Sequence, residues 1–413
     1  MLSWRAVNSN LAIIGKQMNI CIISPEFSTE ASFSGGLAQH FYRIAKHLAS
    51  TGHSVHIIVY STATHSFEQD GILIHRIESN DTFIFRMLNT LTANTLRPAA
   101  RWLCFSYHAL KTIQKLSRNV NFDVVHCPNS YGCGLFTLLF TKIPHVIIGS
   151  CYRPAWSGLS KTRKGINLKL IEIIESIYYR AGRNVYTPSA ALKQMLSEKL
   201  QLKNISVIPT PFYVEVPRLD DTTYKSILAG KNYLLYYGKL QLHKGVHVLA
   251  AALAGVFDKN PGLYCVFAGK DTSTHDIPSV KELIISLCGD HADRLIFIDQ
   301  IPHERLYPVI THARAVVLPS LVDNLPNTCL EAMGSGKIVI GTIGCSFDEI
   351  IEDGKTGFLI HPDNPSELSY KINHVLGRDD LSVIESAAQL KIDEYNPEKT
   401  VGMLLDYYRK AVK

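Results

Sequence analysis

The chain has 413 residues, 46% hydrophobic and 19% charged, a balance that fits two or three globular domains and excludes collagen, coiled coil and disorder. The net charge of +6 is uneven: residues 1–215 carry 22 Lys and Arg against 11 Asp and Glu, whereas residues 216–413 carry 20 against 25. Nine scattered cysteines without a CxxC pair speak against a zinc site or a disulfide scaffold.

Residues 1–17 read as an N-terminal extension without a convincing leader, which together with the cysteine usage makes the cytoplasm the expected compartment. A first buried strand is predicted at Asn19–Ser24. A helix is predicted over Gly36–Thr51, where Leu37, Phe41, Ile44, Ala45 and Leu48 recur at helical spacing. Strands follow at Ser54–Tyr60, Asp123–His126 and His145–Ile148. Between and after them lie two basic stretches, Phe83 to Arg118 and Tyr152 to Arg183. A cluster of Pro209, Pro211, Pro217, Asp220 and Asp221 marks a boundary. The second half repeats the alternation, with strands at Tyr233–Tyr237, Leu263–Ala268, Leu295–Ile298, Ala315–Leu318, Ile338–Gly341 and Gly357–Ile360. Helices are expected at Lys244–Asp258, Val280–Cys288, Thr328–Gly334, Pro365–Gly377 and Asp379–Tyr395. Two such halves imply an α/β protein of two doubly wound, Rossmann-like domains. Ligands of such sheets bind at the carboxyl ends of the strands, here expected in a cleft between facing domains. No apolar run reaches the ~18 residues of a membrane-spanning helix.

Four strand-to-helix turns carry candidate chemistry. Gly35-Gly36 opens the first helix, where free N–H groups suit a phosphate, although a plain tight turn explains two glycines equally well. Gly238 ends a strand and is followed by Lys239 and Lys244. Cations are unusual at a helix start, and a diphosphate between them would account for both. Asp323 follows the strand at 315–318, and Glu331 lies eight residues on. Thr328 and Glu331 also spell a capping box, which would explain those two residues but not Asp323. Gly344 to Gly357 forms a fourth turn with acidic residues. His126, alone at a strand end, is either a satisfied core histidine or a ligand contact.

Taken in order, these motifs resemble the retaining glycosyltransferases of family 4, also called group 1, which have the GT-B fold. The resemblance runs from Met18 through Gly36-Leu37, DVVH at His126, Tyr186-Thr187-Pro188-Ser189, Ile208-Pro209, Gly238-Lys239, Lys244-Gly245 and Phe267-Ala268-Gly269. It continues through Pro319-Ser320, Asp323, Glu331-Ala332-Met333, Gly344, Glu349, Gly354 and Gly357-Phe358. It implies an N-terminal acceptor domain at 18–213, a donor domain at 214–395, and a C-terminal helix at 396–413 crossing back to the first domain. It also implies donor contacts from Gly35, Gly36, Gly238, Gly269, Leu325, Asn327, Thr328 and Glu331, with Glu331 on the ribose. Lys239, Lys244, Asp323 and His126 would be the catalytic set. Tyr152, Arg153 and Trp156 would contact the acceptor. The co-substrate would be a nucleotide-diphosphate sugar; no cofactor and no metal are expected, since no Asp-x-Asp follows a strand. The chain departs from the family pattern in having Asp rather than Glu at 323, Asn324-Leu325-Pro326 in place of Gly-Phe-Gly, and Lys rather than Arg at 239.

The basic, aromatic-bearing stretches suit either a solvated face or partners such as a lipid-linked acceptor and an anionic membrane surface. No nucleic-acid recognition motif accompanies the charge. The expected function is retaining transfer of a sugar to a saccharide or lipid-linked saccharide, in bacterial surface polysaccharide or glycoconjugate assembly at the inner membrane face. The alternative is a catalytically silent, sugar-nucleotide-binding subunit.

Overall fold

The structure, a computed structural model, describes residues 17–29, 36–78, 96–155, 165–213, 219–274 and 276–413. Its strands are β1 (Asn19–Ser24), β2 (Ser54–Tyr60), β3 (His65–Gln69), β4 (Ile72–Ile77), β5 (Val124–Pro128), β6 (His145–Ile148), β7 (Asn184–Thr187) and β8 (Ser206–Val207). They continue with β9 (Asn232–Tyr237), β10 (Leu263–Ala268), β11 (Leu295–Ile298), β12 (Ala315–Val317), β13 (Val339–Thr342) and β14 (Phe358–Ile360). One sheet runs β3-β4-β2-β1-β5-β6-β7-β8, the other β11-β10-β9-β12-β13-β14. Among the described registers all are parallel apart from β3 with β4. Parallel strands are covered on both faces, which is why NICIIS and NYLLYY read as nearly continuous apolar runs.

The second sheet has its strand order reversed between β9 and β12, the point at whose carboxyl ends open α/β sheets bind ligands. The segments that follow β9 and β12 hold Lys239, Lys244 and Asp323.

Several elements differ from their predicted bounds for identifiable reasons. The strand expected at Asp123–His126 begins at Val124 and runs to Pro128; ahead of it the Asp123 carboxylate accepts the Asn19 amide at 2.7 Å and the Asp123 amide donates to Asn19 O at 2.9 Å. The helix expected from Lys244 begins at Val246, after a 3-10 turn at Leu242–Lys244 and a left-handed Gly245. The helix expected over 379–395 is an α-helix at Leu381–Ile392 followed by a 3-10 turn. The described parts of the basic stretches include the helices Arg97–Leu116 in the first and Ile166–Ala181 in the second. The β3–β4 hairpin escaped prediction because HSFEQ is exposed along most of its length and shows no apolar alternation.

The chain divides into two compact units: Met1–Ile147 with Ala181–Arg183 and Asp406–Lys413, and Ile148–Arg180 with Asn184–Leu405. Among the described residues, no helix is long and apolar enough to cross a membrane.

The first unit buries an unusual number of histidines. Burial, with Arg43 as a second cause, pushes His40 down to about 3, and burial pushes His75 and His145 down to about 4. His56 Nδ1 meets His75 Nε2 at 3.0 Å, and Ser66 Oγ lies 2.9 Å from His75 Nδ1. These rings are neutral when folded and take up protons near 6.5 when unfolded. Their stabilisation is therefore complete above pH 6.5 and is lost as pH falls from 6.5 toward 4, at about 1.4 kcal/mol per pH unit for each ring. Urea titrations should show the unfolding midpoint dropping steeply below pH 6, with His75→Gln flattening the slope.

Candidate active site

The site is built on main chain first. Past the end of β9 and β10 the two strand-end segments remain laced: Gly238 N donates to Ala268 O at 2.9 Å and Leu240 N to Lys270 O at 3.0 Å. Gly269, at φ +148°, sits so close that a Cβ there would lie 2.0 Å from the Gly238 carbonyl oxygen. Tyr236 Oη donates to Lys239 O at 2.9 Å and fixes the turn while the Lys239 side chain stays exposed. The carbonyl of His243 then accepts from Leu321 N at 2.8 Å and Val322 N at 3.3 Å. That pair of bonds ties the segment after β9 to the segment after β12.

This crosslink brings Lys244 to Asp323. Lys244 Nζ donates to Asp323 Oδ2 at 2.6 Å, and the other carboxylate oxygen accepts the Asn324 amide at 3.0 Å. The carboxylate is nearly enclosed and the ammonium partly so. A charge-assisted bond of this length, shielded from water, fixes both side chains. Neighbouring His243 is pushed down to about 4 by burial and then by Lys244 itself, so it is neutral and leaves Lys244 as the cation. The Asn324 side-chain amide donates to the Ser150 carbonyl, joining this turn to the segment that carries Tyr152 and Arg153.

Glu331 lies on the helix Asn327–Gly334, only 7% exposed. The helix is capped by Pro326 with no side-chain cap bond, so the capping box expected from Thr328 and Glu331 does not form. Thr328 is already inside the helix, and Glu331 falls in its second turn rather than its first. Its carboxylate is therefore not spent on the helix terminus. His303 Nε2 lies 3.8 Å from Glu331 Oε1. Tyr237 Oη donates to Thr328 O at 2.5 Å, and burial followed by the Glu331 charge holds its phenol well above 10. Asn327 Oδ1 is buried without a hydrogen-bond partner, and the first N–H groups of the helix, at Asn327 and Thr328, have no acceptor one turn back. Leu325 is half-buried beside them and packs on the core.

The remaining expected residues lie elsewhere. His126 is fully buried in the first unit, its Nδ1 2.7 Å from Tyr408 Oη and its ring edge-on to Phe41. Burial pushes it well below 6.5, so it is neutral. Gly36 opens the helix Gly36–Ser50. Gly35 and Trp156 lie outside the described residues. Tyr152 is half-buried. Arg153 is gripped by the buried Glu175, with Nη2 at 2.6 Å from Oε1 and Nε at 3.1 Å from both oxygens.

Sequence reasoning missed His243, His303 and the Asn324–Ser150 bond. It had singled out Glu349 only as a motif position; its carboxylate accepts from Ala190 N at 2.7 Å and Ala191 N at 2.9 Å, at the start of the helix Ala190–Leu200. The Thr187-Pro188-Ser189 run ahead of that helix was the available signal. Among the described residues no group of three or more His, Cys, Asp or Glu could hold a metal ion.

Two family models span most of this architecture: Glycosyltransferase Family 4 matches residues 34–215, and Glycosyl transferases group 1 matches residues 223–394. The chain belongs to the group 1 / family 4 glycosyltransferases, and its two parallel-sheet, Rossmann-like domains have the GT-B fold. It is similar to sucrose-phosphate synthase from Thermosynechococcus elongatus at a TM-score of 0.77, with 16% identity over 95% of this chain and 99% of the other. It is similar to Anabaena HepE, solved in complex with UDP-glucose, at a TM-score of 0.70, with 18% identity over 95% and 100% of the two chains. In sequence it is 24% identical to the glycogen synthase of Mycobacterium tuberculosis over 384 residues, covering 87% of this chain and 86% of that one.

Proposed function

We propose that the protein moves a sugar, with retention of anomeric configuration and without a metal, from a nucleotide-diphosphate sugar to a saccharide or lipid-linked saccharide. The proposed setting is surface polysaccharide or glycoconjugate assembly at the cytoplasmic face of a bacterial membrane, with the basic N-terminal half as the source of membrane affinity. The observation that carries the transferase reading is the gathering of Lys244, Asp323 and Glu331 at the reversal point of the second sheet. Lys244, with Lys239 on the neighbouring turn, neutralises the diphosphate as it departs, the charge that a metal would otherwise supply. The first N–H groups of the helix Asn327–Gly334 assist. Glu331 offers two acceptor oxygens to the ribose hydroxyls, as acidic residues do in other nucleotide folds. Asp323 faces the transferred sugar. The acceptor hydroxyl then forms its bond to the anomeric carbon on the face from which the nucleotide leaves, as the bond to the diphosphate oxygen breaks and that oxygen takes the hydroxyl proton, and orientation supplies the rest of the acceleration.

Thermal stabilisation by UDP-, GDP- and ADP-sugars and their free nucleotides tests this. A ligand at 100 times its Kd adds about 2.7 kcal/mol to the folded form. One nucleotide family should raise the midpoint, and Glu331→Ala should abolish most of that rise while melting normally by itself. A folded protein that one nucleotide family stabilises but that transfers no sugar is the silent subunit, a reading favoured by Pro326, which removes a backbone donor ahead of the helix; a folded protein that responds to none of them overturns both readings.

A further inference from the structure

The helix Ile166–Ala181 has two faces of different chemistry. Its buried side carries Ile171, Glu175, Tyr178 and Tyr179. On the other side Ile166, Ile173 and Ile177 stand 61%, 54% and 50% exposed, with Lys169 and Arg180 exposed among them. At 100° per residue these five positions fall within an arc of about 80°, one stripe along a helix about 24 Å long. An open groove of about 480 Å³ follows the stripe, and Glu172 and Ser176 line it together with Pro154, Lys169, Ile173, Ile177 and Arg180. Three isoleucines in register in water are an apolar patch that wants a cover.

We propose that this stripe docks on an anionic phospholipid bilayer. The isoleucines would enter the headgroup boundary, while Lys169 and Arg180 lay their stems along it and present cations to lipid phosphates. The charge is complementary. In the groove Lys169 and Arg180 outnumber the one carboxylate, Glu172; Glu175 is neutralised by Arg153 at 2.6 Å, and residues 152–183 carry seven Lys and Arg against two Glu. The buried side of the same helix holds the segment that carries the expected acceptor contacts. Glu175 grips Arg153, and Tyr179 Oη donates to Cys151 O at 3.1 Å. Ser150 in turn accepts from Asn324, the residue after Asp323. A bilayer under the stripe would thus seat this segment at the membrane surface, which selects a lipid-linked acceptor over a soluble one. The docking stands on the helix alone; only the acceptor class rests on the transferase reading.

The test is flotation of the full chain with phosphatidylcholine vesicles, with and without phosphatidylglycerol. The wild-type chain should partition about tenfold more strongly onto the anionic vesicles. The double variant Ile173→Ser, Ile177→Ser should lose about tenfold of that binding. Lys169→Ala with Arg180→Ala should erase the preference for anionic lipid, as should high salt. Failure of the wild-type chain to float, or equal flotation of the serine variant, overturns the proposal. So does a concentration-dependent dimer that the serine variant dissolves, since the stripe is then covered by a second copy. Nucleotide-induced thermal shifts on the same samples separate the two readings: vesicle binding without any shift sinks the transferase and leaves the docking intact.

Discussion

Lys244→Ala is expected to lower kcat/KM for sugar transfer by about 10²- to 10³-fold, the loss typical when a preorganised group facing developing charge is removed. Two effects act together. The departing diphosphate loses its nearest cation, and Asp323 is left nearly enclosed without its 2.6 Å partner. Removing one member of a shielded pair costs more than removing both. The double variant Lys244→Ala, Asp323→Ala should therefore be little worse than Lys244→Ala alone, a non-additivity that steady-state kinetics with a responding donor would reveal. Activity within threefold of wild type in Lys244→Ala would transfer the diphosphate to Lys239.

Gly245→Ala should destabilise the second unit by about 2–5 kcal/mol and lower its unfolding midpoint in urea. The residue sits at φ +70°, and a Cβ there would lie 1.7 Å from the Pro319 carbonyl oxygen. That atom is main chain, immediately before the turn that presents Asp323, so no rotamer change relieves the clash. Either the 3-10 turn at Leu242–Lys244 moves away from the segment after β12, or that segment moves. Both routes weaken the His243 carbonyl bonds to Leu321 and Val322 and pull Lys244 from Asp323. Gly230→Ala is the control: its φ of +76° carries the same backbone strain, but no atom lies within 4 Å of the added carbon. The difference between the two variants measures the contact.

What was legible in the sequence was whatever local periodicity encodes. β1, β2, β6, β10 and β11 have their predicted bounds because a strand covered on both faces must be apolar along its length, and the helix Val280–Cys288 because its apolar spacing begins at a capping Ser279. The candidate set Lys244, Asp323 and Glu331 was visible as residue types at strand-to-helix turns. What joins them was not. The Lys244–Asp323 bond spans 79 positions, and the contact of Glu349 with Ala190 spans 159, distances over which no pattern in the chain specifies a partner. The capping box shows the opposite failure: Thr328 and Glu331 had the right spacing, but Pro326, with its fixed φ, starts the helix too early for Thr328 to cap it.

The bond between Tyr408 and His126 spans 282 residues, and residues 406–413 belong to the first unit although the second unit is made before them. At 5–20 residues per second, a ribosome needs roughly 14–56 s to travel from one partner to the other. Throughout that interval the nascent first unit carries an unfilled slot beside His126 and Phe41, an apolar opening that a chaperone or another nascent chain can occupy. The packing around His126 is thus completed only once residues 406–413 have been made, so this helical segment works as a late-arriving plug that couples finishing the first unit to synthesis of the second.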